Sequence, residues 1–361
     1  MNRFPWLLLV CAAFVGCESS SEPDPVIGTP YDVQVGGIPE FPPMEEPADN
    51  PTTVEGIALG RRLFYDPILS SDRTISCASC HKQENAFADP RVVSSGVNGA
   101  QGLFNAPALM NVGWNPAHFW DGRSPTLEDQ AAHPVPSEIE MNLPWDQAVQ
   151  RLQGDPDYPE LFRLAFGSTQ VTQGRVVKAI AQFQRILVSR NSRWDRIQRD
   201  EDGVTPTAAE LRGFQAFTTE AGGDCFHCHG HPALYTPLVA GGVAGFFEDN
   251  GLSLTPDDGL FAVTGEESDR GKFKAPSLRN IAVTAPYMHD GRFATLEEVL
   301  DHYSEGYVDS PNLNTKMRAR LTSGARALTE QEKTDIIQFL QALTDDEFLT
   351  DPDLSSPFPP E

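Results

Sequence analysis

Apolar positions recur at helical spacing in four stretches of this chain, and each carries a start signal. In "TTVEGIALGRRLF" the run opens with Thr52 and Glu55 at capping-box spacing and stops before Asp66-Pro67. In "TPTAAELRGFQAF", Pro206 stands near the start, Thr207 pairs with Glu210, and Leu211, Phe214 and Phe217 share one face. Val176, Ile180, Phe183 and Leu187 make the stripe of "VVKAIAQFQRIL". In "LTEQEKTDIIQFLQAL", Thr329 and Glu332 cap a helix whose stripe is Ile336, Phe339, Leu340 and Leu343. Strand signals are sparse, so the pattern predicts a mostly α fold. The polar stretch "RDEDGVTP", around Asp200 to Pro206, predicts a boundary between a domain over 53–203 and another over 204–348, with a tail over 349–361. A length of 361 residues agrees with two domains, at roughly 150 residues each.

The pattern also repeats. "APALMN" at Ala106 returns as "APSLRN" at Ala275, and "DGRSPTLEDQAAHP" from Asp121 returns as "DGRFATLEEVLDHY" from Asp290, both at an offset of 169 residues. In this frame Trp120 stands where His289 does, His133 where His302 does, and Pro134 where Tyr303 does. Each copy runs from a loop into a helix starting at Thr126 or Thr295.

Before the first domain, "MNRFPWLLLVCAAFVGC" carries Arg3 and an apolar run from Phe4 to Val15, too short to span a bilayer, which takes roughly 20 residues. It reads as a secretory signal over 1–17. Gly16 before Cys17 resembles a bacterial lipobox, which makes Cys17 the candidate for a lipid anchor, with ordinary cleavage nearby as the alternative. Residues 18–52, rich in Pro, Glu and Ser, read as a flexible tether. The expected location is the periplasm, anchored to the outer membrane. With 51 acidic against 27 basic residues, the formal charge of −24 argues against nucleic-acid binding and is compatible with a basic protein partner.

Of six cysteines, Cys11 and Cys17 fall in the export segment. The other four make two copies of one pattern, "CASCH" (Cys77, Cys80, His81) and "CFHCH" (Cys225, Cys228, His229). C-x-x-C-H is the signature of covalent c-type haem attachment, in which the thiols add to the haem vinyl groups and the adjacent His reaches the iron. A redox dithiol or half of a zinc site would use the same residues once, but two copies that consume every remaining cysteine point to two haem c groups. A helix before each CxxCH and another closing each half is the plan of a small c-type cytochrome, so the expected fold is two tandem c-type cytochrome domains, each with one covalently bound haem. The repeat then delivers Tyr303, a potential phenolate ligand, to the second iron, with His302 and Met317 as competitors. Pro134 offers the first iron no donor.

At "LGRRLFYDPILSSDRTISCASCH", "FWDGRSPTLEDQA", "EIEMN" and "LRNIAVTAPYMHDGRFATLEEVLDHY" the chain resembles the bacterial di-haem cytochrome c peroxidase and MauG superfamily, over roughly Glu55 to Leu343. The resemblance implies a peroxidatic first haem and an electron-relaying second one. It assigns His81 and His229 as proximal ligands, Glu140 as the distal acid–base carboxylate, Gln130 as a distal polar residue, and Trp120 as the aromatic residue between the haems. It also implies an interdomain Ca2+ held by the Asn105 side chain and the Thr284 and Pro286 carbonyls, an oxygen-only site of the kind calcium takes. Two departures stand out. "VSSGVNGAQGLFNAP" has Val97 near the place of a distal His and contains no His, and Tyr303 stands where many relatives have Met, as in MauG. The expected activity is reduction of H2O2 with electrons from a small cytochrome or cupredoxin. A MauG-like oxidase working through high-valent iron on a protein or small molecule is the alternative, and a non-catalytic electron carrier a third. A homodimer is left open.

Overall fold

A computed structural model of the chain describes residues 27–33, 41–230, 236 and 246–359. The export segment, Cys17, His231 and much of the expected tether lie outside these residues.

The first core is built on α1 (Val54–Tyr65), α2 (Leu127–Ala132), α3 (Trp145–Gln153), α4 (Tyr158–Phe166) and α5 (Gln173–Arg185). Thr53, rather than Thr52, caps α1, its hydroxyl accepting from Gly56 N at 3.1 Å. Glu55 is drawn away from the capping role by Thr29, whose N and Oγ1 donate to its carboxylate at 2.7 and 3.0 Å. The described parts of the expected tether are therefore docked: Tyr31 N donates to Thr52 O, Val54 N to Thr29 O, and Trp114 Nε1 to Pro42 O. Phe41 is buried edge-on against Trp114. The stripe Val176, Ile180 and Phe183 on α5, with Leu187 just past its end, is buried throughout.

The second core takes α6 (Arg193–Gln198), α7 (Ala208–Thr218), α10 (Leu296–Asp301) and α12 (Glu330–Gln341); between α7 and α10 come α8 (Phe226–His229), β1 (Phe247–Glu248), α9 (Phe261–Thr264) and β2 (Phe273–Lys274), and α11 (Thr315–Ser323) precedes α12. Both expected capping boxes form, Thr207 with Glu210 and Thr329 with Glu332. Leu211, however, is 48% exposed. The face of α7 that meets α12 runs through Gly213 instead, where a Cβ would lie 1.9 Å from Asp335 O, and α1 approaches α5 in the same way at Gly60, 1.9 Å from Ala179 O. Only glycine permits helices to come so close. Although α6 lies upstream of the expected boundary, its Trp194 packs on Phe214 and Phe339. Asp195 meets Arg279 in a fully buried two-point ion pair at 2.6 and 2.7 Å.

The C-terminal residues cross back. Phe348 on α13 (Asp346–Thr350) and Leu354 after it are buried in the first domain's core. Arg61 donates to the carbonyls of Pro352 and Ser355, and Tyr65 Oη to that of Leu354. Residues expected as a tail thus act as a strap from the second domain to the first.

The sequence repeat is a structural repeat. Asn111 and Asn280 both take left-handed φ (58° and 55°), each just before a 3-10 turn, Val112–Trp114 and Ile281–Val283. Isolated bridges His118↔Ser124 and Tyr287↔Phe293 correspond, and Thr126 and Thr295 both cap the helices that follow.

Candidate functional site: two CxxCH sites and the cavity between the domains

The first site forms where the backbone coils tightly after Ser76. Cys80 N and His81 N both donate to Cys77 O, at 3.2 and 3.0 Å. His81 is half-buried, and its Nδ1 lies 2.7 Å from Phe87 O. That contact fixes Nδ1 as the protonated nitrogen and leaves Nε2 for a metal. Ala86 and Phe87 both hold positive φ (52° and 59°), a strained conformation for non-glycine residues that aims this carbonyl at the imidazole. Burial lowers the His81 pKa, which favours the neutral, ligating form.

Glu140 comes to this site on a loop that Pro134 begins. Proline has no N–H with which to continue the helical ladder, and α2 ends at Ala132 with His133 as its C-cap. The chain then turns back: Met141 N donates to Pro134 O, Leu143 N to Val135 O, and Glu140 N and Asn142 N to Ser137 O. Val97 is buried, and its N–H donates to Glu140 O at 2.8 Å, so the segment lacking a distal His lies against the Glu140 loop. The Cys77 thiol is pushed up to about 12 by burial first, then by Cys80, with a smaller contribution from Glu140. Burial raises Cys80 as well, and Glu140 again adds a small electrostatic contribution. Glu140 is itself raised above the usual carboxylate range by burial, opposed by Ser137, Arg123 and His133. Gln130, on α2, accepts from Gln184 Nε2 at 3.2 Å.

The second site is a deep, largely apolar cavity between the domains. Its walls include Cys225, Cys228, His229, Tyr303 and Met317 from the second domain and Trp120 and Asn105 from the first. Cys228 N and His229 N donate to Cys225 O, repeating the first site's coil. Where α2 stops at Pro134, α10 continues through a π-helical turn, His302–Gly306, that carries Tyr303 to the cavity. Such a turn is common at functional sites. Asn250 Nδ2 donates to Tyr303 Oη at 3.1 Å, and burial pushes the Tyr303 phenol up to about 12. His302 points elsewhere, its Nε2 3.0 Å from Asn250 O. Met317 and Met288 both line the cavity. Asn250, which orders Tyr303, His302 and Met288 Sδ, is a residue that sequence reasoning missed, and no local motif marks it.

Trp120 is buried at the seam, its Nε1 donating to Asn105 O at 2.8 Å, and Asn105 N donates to His289 O. His289 stacks on Phe273, with ring centroids 3.6 Å apart. Asn105, Thr284 and Pro286 all line the cavity.

The residues fit two c-type haems. The four thiols are free, each CxxCH coil brings its His beside its cysteines, and the second opens into a cavity with two kinds of distal donor. Among the described residues no three of His, Cys, Asp and Glu gather as metal ligands.

A family model described as di-haem cytochrome c peroxidase matches residues 54–203. A methylamine utilization protein MauG of Methylorubrum extorquens is 37% identical over 303 residues, covering 83% of this chain and 81% of that protein. A cytochrome c551 peroxidase of Nitrosomonas europaea is 36% identical over 318 residues, covering 87% and 86%. A solved MauG-like protein associated with microbial copper homeostasis is 39% identical, with a TM-score of 0.77 over 88% of this chain and 97% of its own.

Proposed function

Since this chain belongs to the di-haem cytochrome c peroxidase family and carries haem c, we propose that it reduces H2O2 to water at the haem attached to Cys77 and Cys80, with electrons relayed through the haem attached to Cys225 and Cys228. The observation that carries this reading is the asymmetry of the repeat. After α2 the chain turns at Pro134 into the loop that carries the half-buried Glu140 carboxylate, which acts electrostatically on Cys77; after α10 the same frame continues and brings a phenol to the cavity of Cys225 and Cys228. A carrier of electrons has no use for the first arrangement.

A haem held at this site would supply the place where peroxide binds and the electrons that reduce it. His81, oriented by Phe87 O, would hold its iron. Glu140 takes the proton from the near oxygen of H2O2 and returns it to the far one, so that water leaves as the O–O bond breaks. Two protons from solvent and two electrons from the donor complete reduction to two waters. Gln130, tied to Gln184, orients the distal side, and Trp120 lies on the electron path between the sites. Tyr303 would hold the iron of the second haem, which would supply electron transfer there. A small cytochrome or cupredoxin is the electron donor, and the acidic surface suits a basic partner.

The buried Val97 supports a second reading within the same family, oxidation of a protein or small molecule in the manner of a MauG. The segment around Val97 offers no side chain that would need to be displaced before peroxide binds. Steady-state turnover of H2O2 with reduced cytochrome c separates the two. Fast turnover is expected for the peroxidase; slow turnover with a long-lived oxidised state would transfer the assignment to the oxidase.

Two finer features belong to this proposal. No hydrogen bond among the described residues ends on Asn105 Oδ1, Thr284 O or Pro286 O, which leaves three oxygens of the cavity lining free for Ca2+. Cys17 carries a lipid anchor that places the enzyme at the periplasmic face of the outer membrane. Metal content of purified protein and of Asn105→Ala, and the mass of the mature N-terminus, test the two. Wild type without calcium, or an unmodified N-terminus downstream of Cys17, would remove the corresponding feature.

A further inference from the structure

We propose that Lys274 is the cation that holds a propionate carboxylate of the second haem at the seam between the domains. Lys274 lies on β2, whose backbone is fixed from three directions. Phe247 on β1 pairs with it, Lys274 N donates to Trp120 O at 2.9 Å, and Ala275 N donates to Phe246 O at 2.9 Å. Lys274 lines the cavity, yet is only 6% exposed. Its ammonium has no hydrogen-bond or ion-pair partner among the described residues. Asp121, the carboxylate that acts on it, is already engaged by Arg123 at 2.9 Å. A buried ammonium without a partner is costly, and burial holds this amine down to about 8. The occupant of the cavity must therefore bring an anion to it.

The distribution of charge says which edge of the haem that is. The charged side chains acting on the Cys225 and Cys228 thiols are Asp224, Glu248 and Arg320. Lys274 is coupled instead to Asp121 and His118, on the first domain's side. Thioether bonds form at the vinyl positions of a haem, and the propionates occupy the far edge of the macrocycle. Of the other cations lining the cavity, Arg320 lies beside Cys225 and Lys316 is exposed. Lys274 is thus the buried cation at the propionate edge. Its N–H on the Trp120 carbonyl ties that edge to the indole between the two sites.

This inference rests on the second haem occupying this cavity, which a count of covalently attached haems by mass spectrometry checks separately in each variant. With both haems attached, Lys274→Met is expected to lower the midpoint potential of the second haem by more than that of the first, because loss of the nearby cation disfavours Fe(II). Lys274→Arg is expected to stay close to wild type. A Lys274→Met protein that attaches only the first haem, beside a Lys274→Arg protein that attaches both, also supports a requirement for charge at that edge. An unchanged potential in Lys274→Met, or an equal fall in Lys274→Arg, would overturn the proposal.

Discussion

Replacing Glu140 by Gln is expected to slow the reaction with H2O2 by about 10²–10⁴-fold, the usual contribution of a positioned acid–base group, while the optical spectra of both haems stay as in wild type. Glutamine matches the size of the side chain and leaves untouched the backbone contacts that build the loop, from Val97 N to Glu140 O and from Glu140 N to Ser137 O. What it cannot do is accept a proton. The pH dependence gives a second handle. Burial raises the Glu140 pKa above the ordinary glutamate value of 4.5, so the carboxyl remains protonated, and useless as a base, to a higher pH than a solvated glutamate would. The rate of the peroxide reaction should therefore rise as pH increases through that raised value and fall away below it, and this limb should vanish in the Gln variant. Stopped-flow mixing with H2O2 across the acid range measures both. A variant as fast as wild type would take Glu140 out of the reaction. A limb that persists in the variant would assign the titration to another group.

The parts of this arrangement that were legible in the sequence are those whose causes are local. A capping box needs two side chains three residues apart, and Thr207 with Glu210 and Thr329 with Glu332 form as expected. Haem attachment needs five contiguous residues, so both CxxCH motifs can be read directly. Where a distant segment competes, local reading fails. Glu55 is claimed by Thr29, 26 residues away, and the cap passes to Thr53. Leu211 has the periodicity of a core residue, but close approach at Gly213 rotates α7 so that Leu211 faces outward. Asn250 reaches Tyr303 across 53 positions with nothing in "EDNG" to announce it. The strap is invisible for a related reason: Arg61 and Tyr65 bind backbone carbonyls, which every residue offers. The repeat was readable as sequence, yet the physical effect of Pro134 against Tyr303 shows only when one helix stops and the other continues through a π turn.

Replacing Tyr303 by Phe is expected to turn the second haem from low-spin to high-spin and to raise its midpoint potential. Phenylalanine preserves the ring that fills the end of the cavity and removes the one oxygen that could reach the iron. The phenol resists ionisation on its own, with desolvation pushing it up to about 12, so a phenolate here requires a compensating cation, which ferric haem would provide. An anionic ligand stabilises Fe(III) more than Fe(II), hence its loss raises the potential. The neighbours sharpen the test. His302 is held by Asn250 O and is not free to take over, whereas Met317 and Met288 both line the cavity. EPR of the diferric variant separates three results. A new high-spin signal from the second haem identifies Tyr303 as its ligand. A low-spin signal of altered shape, with a raised potential, means that Tyr303 ligates in wild type and a methionine replaces it once the oxygen is gone. A spectrum and potential identical to wild type would mean that the π turn carries Tyr303 to the cavity wall without binding the iron, and the ligand should then be sought at Met317 or Met288.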